Sequence, residues 1–250
     1  TKFLRDISPA VFIGHLQDLK RIEIAPGHVT IGAGVTYSEF EPFLRQHFPE
    51  AVDYWLRIGG WQVRNAGTIG GNVANGSPIG ETPPLLIALG ATLRLRSAEG
   101  TRELAVEDYF IEYGKQDRRP GEFVEAITVP LKGEARIAAY KVSKRHHADI
   151  TASAAAFRVE TDGATIIDAR VAFGGMAGTP KRATQAEAAL KGQPFTAETF
   201  EAAARAVAND FQPLSDWRAS KEYRQQLAAN FFRRFWLEQQ GADHRLRRVE

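Results

Sequence analysis

The chain of 250 residues contains no cysteine, which excludes disulfides, thiol nucleophiles and cysteine-ligated iron–sulfur clusters formed by these residues themselves. Its single methionine is Met176 and its first residue is Thr1, so the N-terminal part of a longer polypeptide is expected to be missing. No apolar run approaches the roughly 18 to 20 residues that span a bilayer, and residues 1–6 lack the pattern of a secretory signal. A cytoplasmic protein is the expectation. Neither sign of charge prevails: 32 basic against 30 acidic side chains leave +2, too little for a nucleic-acid surface. The remainder, 44% hydrophobic and 25% charged, suits a globular protein with one large domain or two modest ones.

What the chain does have is Asn65-Ala66-Gly67-Thr68-Ile69-Gly70-Gly71-Asn72-Val73-Ala74-Asn75-Gly76-Ser77-Pro78, with four glycines among small polar residues. Glycine lets a backbone approach a ligand without an intervening Cβ and leaves amide N–H groups bare for anionic oxygens. Thr68, Asn72, Asn75 and Ser77 add short donors and acceptors that reach ribose, ribityl or phosphate groups. A dinucleotide is the expected ligand; the alternative is a glycine-rich turn between two strands.

Around this stretch, residues 29–35 read as a strand, and Ser38-x-x-Glu41 as a capping box opening a helix to about residue 47 that buries Phe40, Phe43, Leu44 and Phe48. Gly32-x-Gly34 imitates a Rossmann fingerprint, but Tyr37 stands at its third glycine position and no repeating βαβ pattern surrounds it. Pro83-Pro84 opens a short helix stopped by Gly90. Residues 92–96, 102–104 and 123–130 alternate as strands. A boundary is expected at Pro130-Leu131-Lys132-Gly133. Three more strands follow over 138–143, 150–160 and 165–173, the last two joined by Asp162-Gly163. Helices over 184–190, from Thr196 to about 210, and from about 220 to Gly241 complete the chain; Tyr223, Leu227, Phe231 and Phe235 form a core-facing stripe on the last. His244-Arg245-Leu246-Arg247-Arg248 reads as a solvated tail. This order gives an α+β protein in two lobes: residues 1–132, residues 133–241 with a three-stranded antiparallel sheet packed with helices, and a basic tail at 242–250.

Gly67-Thr68-Ile69-Gly70-Gly71-Asn72, followed by Ser77-Pro78-Ile79, Glu81 and Pro83-Pro84, resembles the second flavin-contacting segment of the molybdenum hydroxylase FAD domain, the family of xanthine dehydrogenase. The resemblance continues through Phe110-x-x-Tyr113, Gly121-Glu122-Phe123-Val124, Tyr140-Lys141-Val142-Ser143-Lys144-Arg145 and Phe173-Gly174-Gly175-Met176-Ala177, in order and over nearly the whole chain. It is greatest to the small, FAD- and iron–sulfur-bearing subunit of bacterial xanthine dehydrogenases. The resemblance implies a PCMH-type FAD-binding lobe with a mostly antiparallel or mixed sheet. It also implies electrons leaving a purine at a molybdopterin centre on a partner chain, passing two [2Fe-2S] clusters, reaching FAD here and leaving as hydride to NAD⁺.

Carried over residue by residue, it makes Thr68, Gly70, Gly71 and Asn72 flavin or diphosphate contacts, Glu81 the FAD-binding acid where aspartate is common, Ile58 and Val124 apolar contacts, and Lys141 a basic one. Without the resemblance Lys141 is an exposed strand lysine. Arg145 shares its role, Tyr113 lines the nicotinamide side or sits in the core, and Asp149 tunes that environment. His146 and His147 are adjacent, so on a strand they would point to opposite faces, and no carboxylate–histidine spacing completes a metal site with them. No catalytic acid or base is assigned, because flavin itself accepts and releases hydride. The family's first FAD segment, expected before residues 3–6, and its iron–sulfur domains are not in the sequence. Rival readings are the flavoprotein of a carbon monoxide dehydrogenase or aldehyde oxidase, a stand-alone flavin reductase, and a non-enzymatic scaffold lobe.

Overall fold

The computed structural model describes residues 11–242; residues 3–6 and residues 243–250 of the basic tail lie outside them. The first half is built on a five-stranded antiparallel sheet in the order β1-β2-β7-β3-β4. Its strands are β1 (Ile22–Ala25), β2 (His28–Gly32), β3 (Thr92–Ser97), β4 (Gly100–Ala105) and β7 (Phe123–Pro130). A separate small hairpin pairs β5 (Phe110–Glu112) with β6 (Lys115–Gln116). Alternation works as expected, with Val29, Ile31, Leu93 and Leu95 fully buried on one face. In β7 the alternation breaks. Arg94 pairs with Ala126 and Leu95 with Val124, so Glu125 is the extra residue of a bulge.

Five helices cover this half: α1 (Tyr37–His47), α2 (Val52–Leu56), α3 (Trp61–Ala66), α4 (Ile69–Asn75) and α5 (Thr82–Leu89). The capping box lies two residues earlier than the sequence suggests. Thr36 is the cap, its hydroxyl accepting from the Glu39 N–H and its own N–H donating to Glu39 Oε2. Extended Thr36 also bridges to Thr68 while the Tyr37 N–H donates to the Gly67 carbonyl, which fixes where helical backbone begins. All eight residues of α5 are buried, seven of them apolar and the eighth, Thr82, hydrogen-bonded to Asn72, and Gly90 (φ +76°) terminates it.

The second half contains a four-stranded antiparallel sheet, β11-β10-β9-β8, from β8 (Arg136–Val142), β9 (Ser153–Asp162), β10 (Thr165–Gly174) and β11 (Lys181–Arg182). The expected three strands thus become four, because a two-residue strand is too short to show alternation; Arg182 ion pairs to Glu107 and Glu187 hold it at the edge. Strand β9 starts later than expected. Asp149 accepts from the Arg145 and Ile150 N–H groups and bends residues 143–150 into a loop.

This sheet is a shared wall. Ile137, Ala154, Ala156 and Ala172 belong to the core of the first half, where α5 packs, whereas Ala138, Tyr140, Ala155, Phe157, Val171 and Phe173 belong to a second core. The second core is closed by α6 (Thr184–Leu190), α7 (Ala197–Ala206) and α8 (Lys221–Gln239). On α8 the buried face runs through Arg224, Ala228, Phe231, Phe232 and Phe235, while Tyr223 is 49% exposed. Four-residue steps advance about 40° beyond a full turn at 3.6 residues per turn, so a strict fourfold stripe walks off the core. The α+β class with antiparallel sheets and helices is as read from the sequence.

Candidate functional site

The glycine stretch is not an open loop. Residues 61–76 form two short helices, with Thr68 capping α4 through a bond from the Gly71 N–H to its hydroxyl (3.1 Å). The bulge at Glu125 accounts for this placement. Its carbonyl accepts from Ala33 (2.9 Å), whose carbonyl accepts from Gly70 (3.1 Å), and Ile69 donates to the Val35 carbonyl (3.0 Å). The amides expected to be bare are therefore engaged: those of Gly67, Ile69, Gly70, Gly71 and Asn72 all donate within the chain.

The glycines divide by role. A Cβ on Gly70 would stand 2.3 Å from the Ala33 Cβ, and one on Gly67 2.7 Å from the Tyr37 ring, so both glycines admit close packing of α4. Gly71 is exposed, and a Cβ there would meet only the Thr68 hydroxyl. Thr68, Gly71 and Asn75, three to four residues apart, give one helix face a small, polar, accessible surface.

Asn72 points the other way. Its Oδ1 accepts from the Thr82 hydroxyl (2.6 Å) and N–H (3.3 Å), tying α4 to α5. Glu81, immediately before α5, is the hub. Its Oε1 accepts from Lys141 Nζ and from the Thr151 hydroxyl, each at 2.9 Å, and its carbonyl accepts from the Tyr54 hydroxyl. Lys141 reaches it because strand alternation puts Ile137, Ala139 and Lys141 on the face of β8 turned to the first half. The Lys141 side chain is 1% exposed, not the surface lysine its strand alone would suggest.

Lys141 Nζ also donates to the Arg57 carbonyl (2.8 Å), next to Ile58. Ile58 and Val124 are buried in the first core. The residues expected from sequence at the site therefore fall into a linked group, Asn72, Glu81, Lys141 and Ile58, an exposed polar face, Thr68 and Gly71, and two residues placed by sheet and helix packing, Gly70 and Val124. Burial and then the charge of Glu81 push the phenols of Tyr37 and Tyr54 above the usual tyrosine range.

Other residues singled out from sequence lie outside this group. Tyr113 is 77% exposed and not a core tyrosine; with Pro78, Ile79, Met176 and Leu214 it borders a cleft of about 350 Å³. Arg145 is exposed and pairs with Asp149 at 3.4 Å. His146 and His147 sit in the irregular loop, not on a strand, and their rings meet edge to face at 4.4 Å. Arg57, Tyr54 and Thr151 carry no motif; Arg57 and Thr151 become visible only when the two halves pack, and Tyr54 only when α2 meets the start of α5.

Against known proteins, a family profile described as "FAD binding domain in molybdopterin dehydrogenase" matches residues 1–132, and "CO dehydrogenase flavoprotein C-terminal domain" matches residues 138–239. The xanthine dehydrogenase FAD-binding subunit of Escherichia coli O157:H7 is 30% identical over 87% of this chain and 76% of its own length. The glyceraldehyde dehydrogenase medium chain of Sulfolobus acidocaldarius is 32% identical over 90% of this chain and 81% of its own. The fold matches carbon monoxide dehydrogenase from Hydrogenophaga pseudoflava with a TM-score of 0.84 at 29% identity, covering 89% of this chain and 78% of that one.

Proposed function

Because the chain belongs to the FAD-binding medium subunits of the molybdenum hydroxylases, we propose that it is the FAD-carrying part of a xanthine dehydrogenase. Electrons from hypoxanthine or xanthine, oxidised to urate at a molybdopterin centre on a partner chain, arrive through [2Fe-2S] clusters and leave as hydride to NAD⁺. In this reading residues 1–132 are the FAD lobe, 133–241 the C-terminal lobe and 242–250 a basic tail, within a cytoplasmic hetero-oligomer. Among the described residues no helix is long and apolar enough to cross a membrane.

One observation carries the reading: the Glu81 carboxylate takes Lys141 and Thr151 from the second half of the chain, while its neighbour Thr82 is bonded to Asn72 of the glycine-rich helix, so the two halves meet at one charged group. Bound FAD supplies the hydride chemistry itself. This chain's residues bind and orient it. Gly71 leaves the outer face of α4 flat, and Thr68 presents its hydroxyl there. Asn72, with its oxygen taken by Thr82, keeps its NH₂ donors for the ligand. Gly70 allows α4 to sit against Ala33, Ile58 and Val124 supply apolar walls, and Glu81 with Lys141 fixes charge beside them.

A second reading, the flavoprotein of a carbon monoxide- or aldehyde-oxidising enzyme, is favoured by the comparable identity to the glyceraldehyde dehydrogenase medium chain. The deciding experiment is purification of the whole assembly, followed by FAD analysis and substrate-dependent NADH formation. Stoichiometric FAD with urate production from xanthine is expected. Reduction by an aldehyde or carbon monoxide and not by xanthine selects the second reading, and an assembly whose medium subunit carries no flavin overturns both.

A further inference from the structure

We propose that Arg57 is a positioning residue of the flavin site, holding Lys141 and the start of the following loop against Glu81 through a reciprocal pair of contacts. The inference rests on the reading of this chain as an FAD carrier. Arg57 caps the C-terminus of α2, two residues before Gly59, which turns the chain (φ +57°) toward α3 and the glycine-rich helix. Its guanidinium crosses to the second half of the chain, donating to the Lys141 carbonyl, to Ser143 Oγ (3.0 Å) and to the His146 carbonyl (3.3 Å). In the opposite direction, Lys141 Nζ donates to the Arg57 carbonyl at 2.8 Å. Each residue thus holds the other's backbone with its own cation.

The consequence is electrostatic as well as geometric. The Lys141 ammonium has two partners, the Arg57 carbonyl and Glu81 Oε1, so one of the two groups that fix its position belongs to Arg57. Lys141 is paired with Glu81, and Arg57 adds a second cation whose guanidinium is held by two carbonyls and a hydroxyl. Burial, and then the nearby Arg234, pull the Arg57 guanidinium below its usual range, but guanidinium stays charged at any physiological pH. A fixed cation beside a flavin favours its reduced, anionic forms. Lysine in place of Arg57 keeps the charge but cannot reproduce the planar fork that spans three acceptors.

The test uses the intact, FAD-loaded assembly with the variants R57Q and R57K, measuring flavin content, the flavin midpoint potential and the melting temperature. R57Q is expected to keep its flavin within twofold while its oxidised form gains at least tenfold, about 30 mV for a two-electron couple; R57K, which keeps the charge and loses the fork, is expected to recover part of that shift and not all of it. An unchanged potential in flavin-loaded R57Q overturns the inference, and so does an R57K variant that restores the full wild-type potential, since charge without the fork would then suffice. Should R57Q fail to assemble, S143A decides: it removes one anchor of the fork, a shift of about threefold with unchanged melting supports the role, and no shift refutes it. A wild-type assembly without flavin defeats the FAD reading itself, which these variants would then leave behind.

Discussion

Gly70 and Gly71 are neighbours in sequence and chemically identical, yet the structure requires opposite outcomes when each is replaced. An alanine Cβ at position 70 would lie 2.3 Å from the Ala33 Cβ, 2.6 Å from its Cα and 2.7 Å from its carbonyl oxygen. Ala33 cannot retreat, because its own N–H is bonded to the carbonyl of the Glu125 bulge at 2.9 Å. Overpacking costs about 1–3 kcal/mol, and straining the Gly70-to-Ala33 bond about 0.5–1.5 more. Alanine's helix propensity returns about 1 kcal/mol. The net is a loss of about 2 kcal/mol, or roughly 4–8 °C in melting temperature for a chain of this size. At position 71 a Cβ meets only the Thr68 hydroxyl, so losing that cap (about 1 kcal/mol) is balanced by the helix term. Gly71→Ala and Gly71→Leu should therefore melt within about 3 °C of wild type. Because position 71 faces outward on the small polar face, Gly71→Leu should also lose FAD. Thermal melts and the FAD-to-protein ratio of purified variants separate the cases. Equal melting temperatures for Gly70→Ala and Gly71→Leu, or a Gly71→Leu subunit that stays fully yellow, would refute the division of roles.

Lys141→Met leaves the Glu81 carboxylate without its cation and should cost about 3–5 kcal/mol; the double variant with Glu81→Gln should cost less than the sum of the two singles by about 1–3 kcal/mol in denaturant unfolding, whereas strict additivity would deny the coupling. The Arg102 fork, with the Arg119 N–H, lowers the Glu122 carboxyl from 4.5 to about 2. The stability it contributes is present above the ordinary carboxyl value and is lost as pH falls through that window. Melting of wild type and Arg102→Gln should accordingly differ at neutral pH and converge between pH 4.5 and about 2. Burial, and then Glu81 for Tyr37 and Tyr54 or Glu238 for Tyr140, raises these phenols from 10.0. Their contribution holds below pH 10.0 and disappears as pH rises further, so ultraviolet titration should show them ionising together with loss of far-ultraviolet helical signal, not before it.

Much of the framework is legible in local pattern. The alternation over β2, β3 and β7, the proline-to-glycine span of α5, the Asp162-Gly163 turn and the caps at Thr196 and Ser220 need only nearest neighbours and a period. The ordered stretches from Gly67 to Ala177 were enough to indicate the family. Other features depended on distant partners. The cap of α1 moved to Thr36 because Gly67 and Thr68 claim the backbone beside it, and β11 exists because Glu107 and Glu187 hold Arg182. Sequence reasoning gave the glycines one purpose. The fold gave Gly70 to packing against Ala33 and left Gly71 on the surface.

The site shows the same division. The residue types and spacing from Thr68 to Glu81 named the segment, whereas the strand around Lys141, taken alone, reads as carrying an exposed lysine. Which face would be covered, and by what, depends on α5 sliding between the two sheets, since burial is a property of surfaces that meet only after the halves pack. Only that packing turned Lys141 from a surface cation into the partner of Glu81 and drew in Arg57 and Thr151. Local sequence determines period, caps and turns because these act over a few residues; desolvation and charge pairing act through space, and tertiary structure decided them.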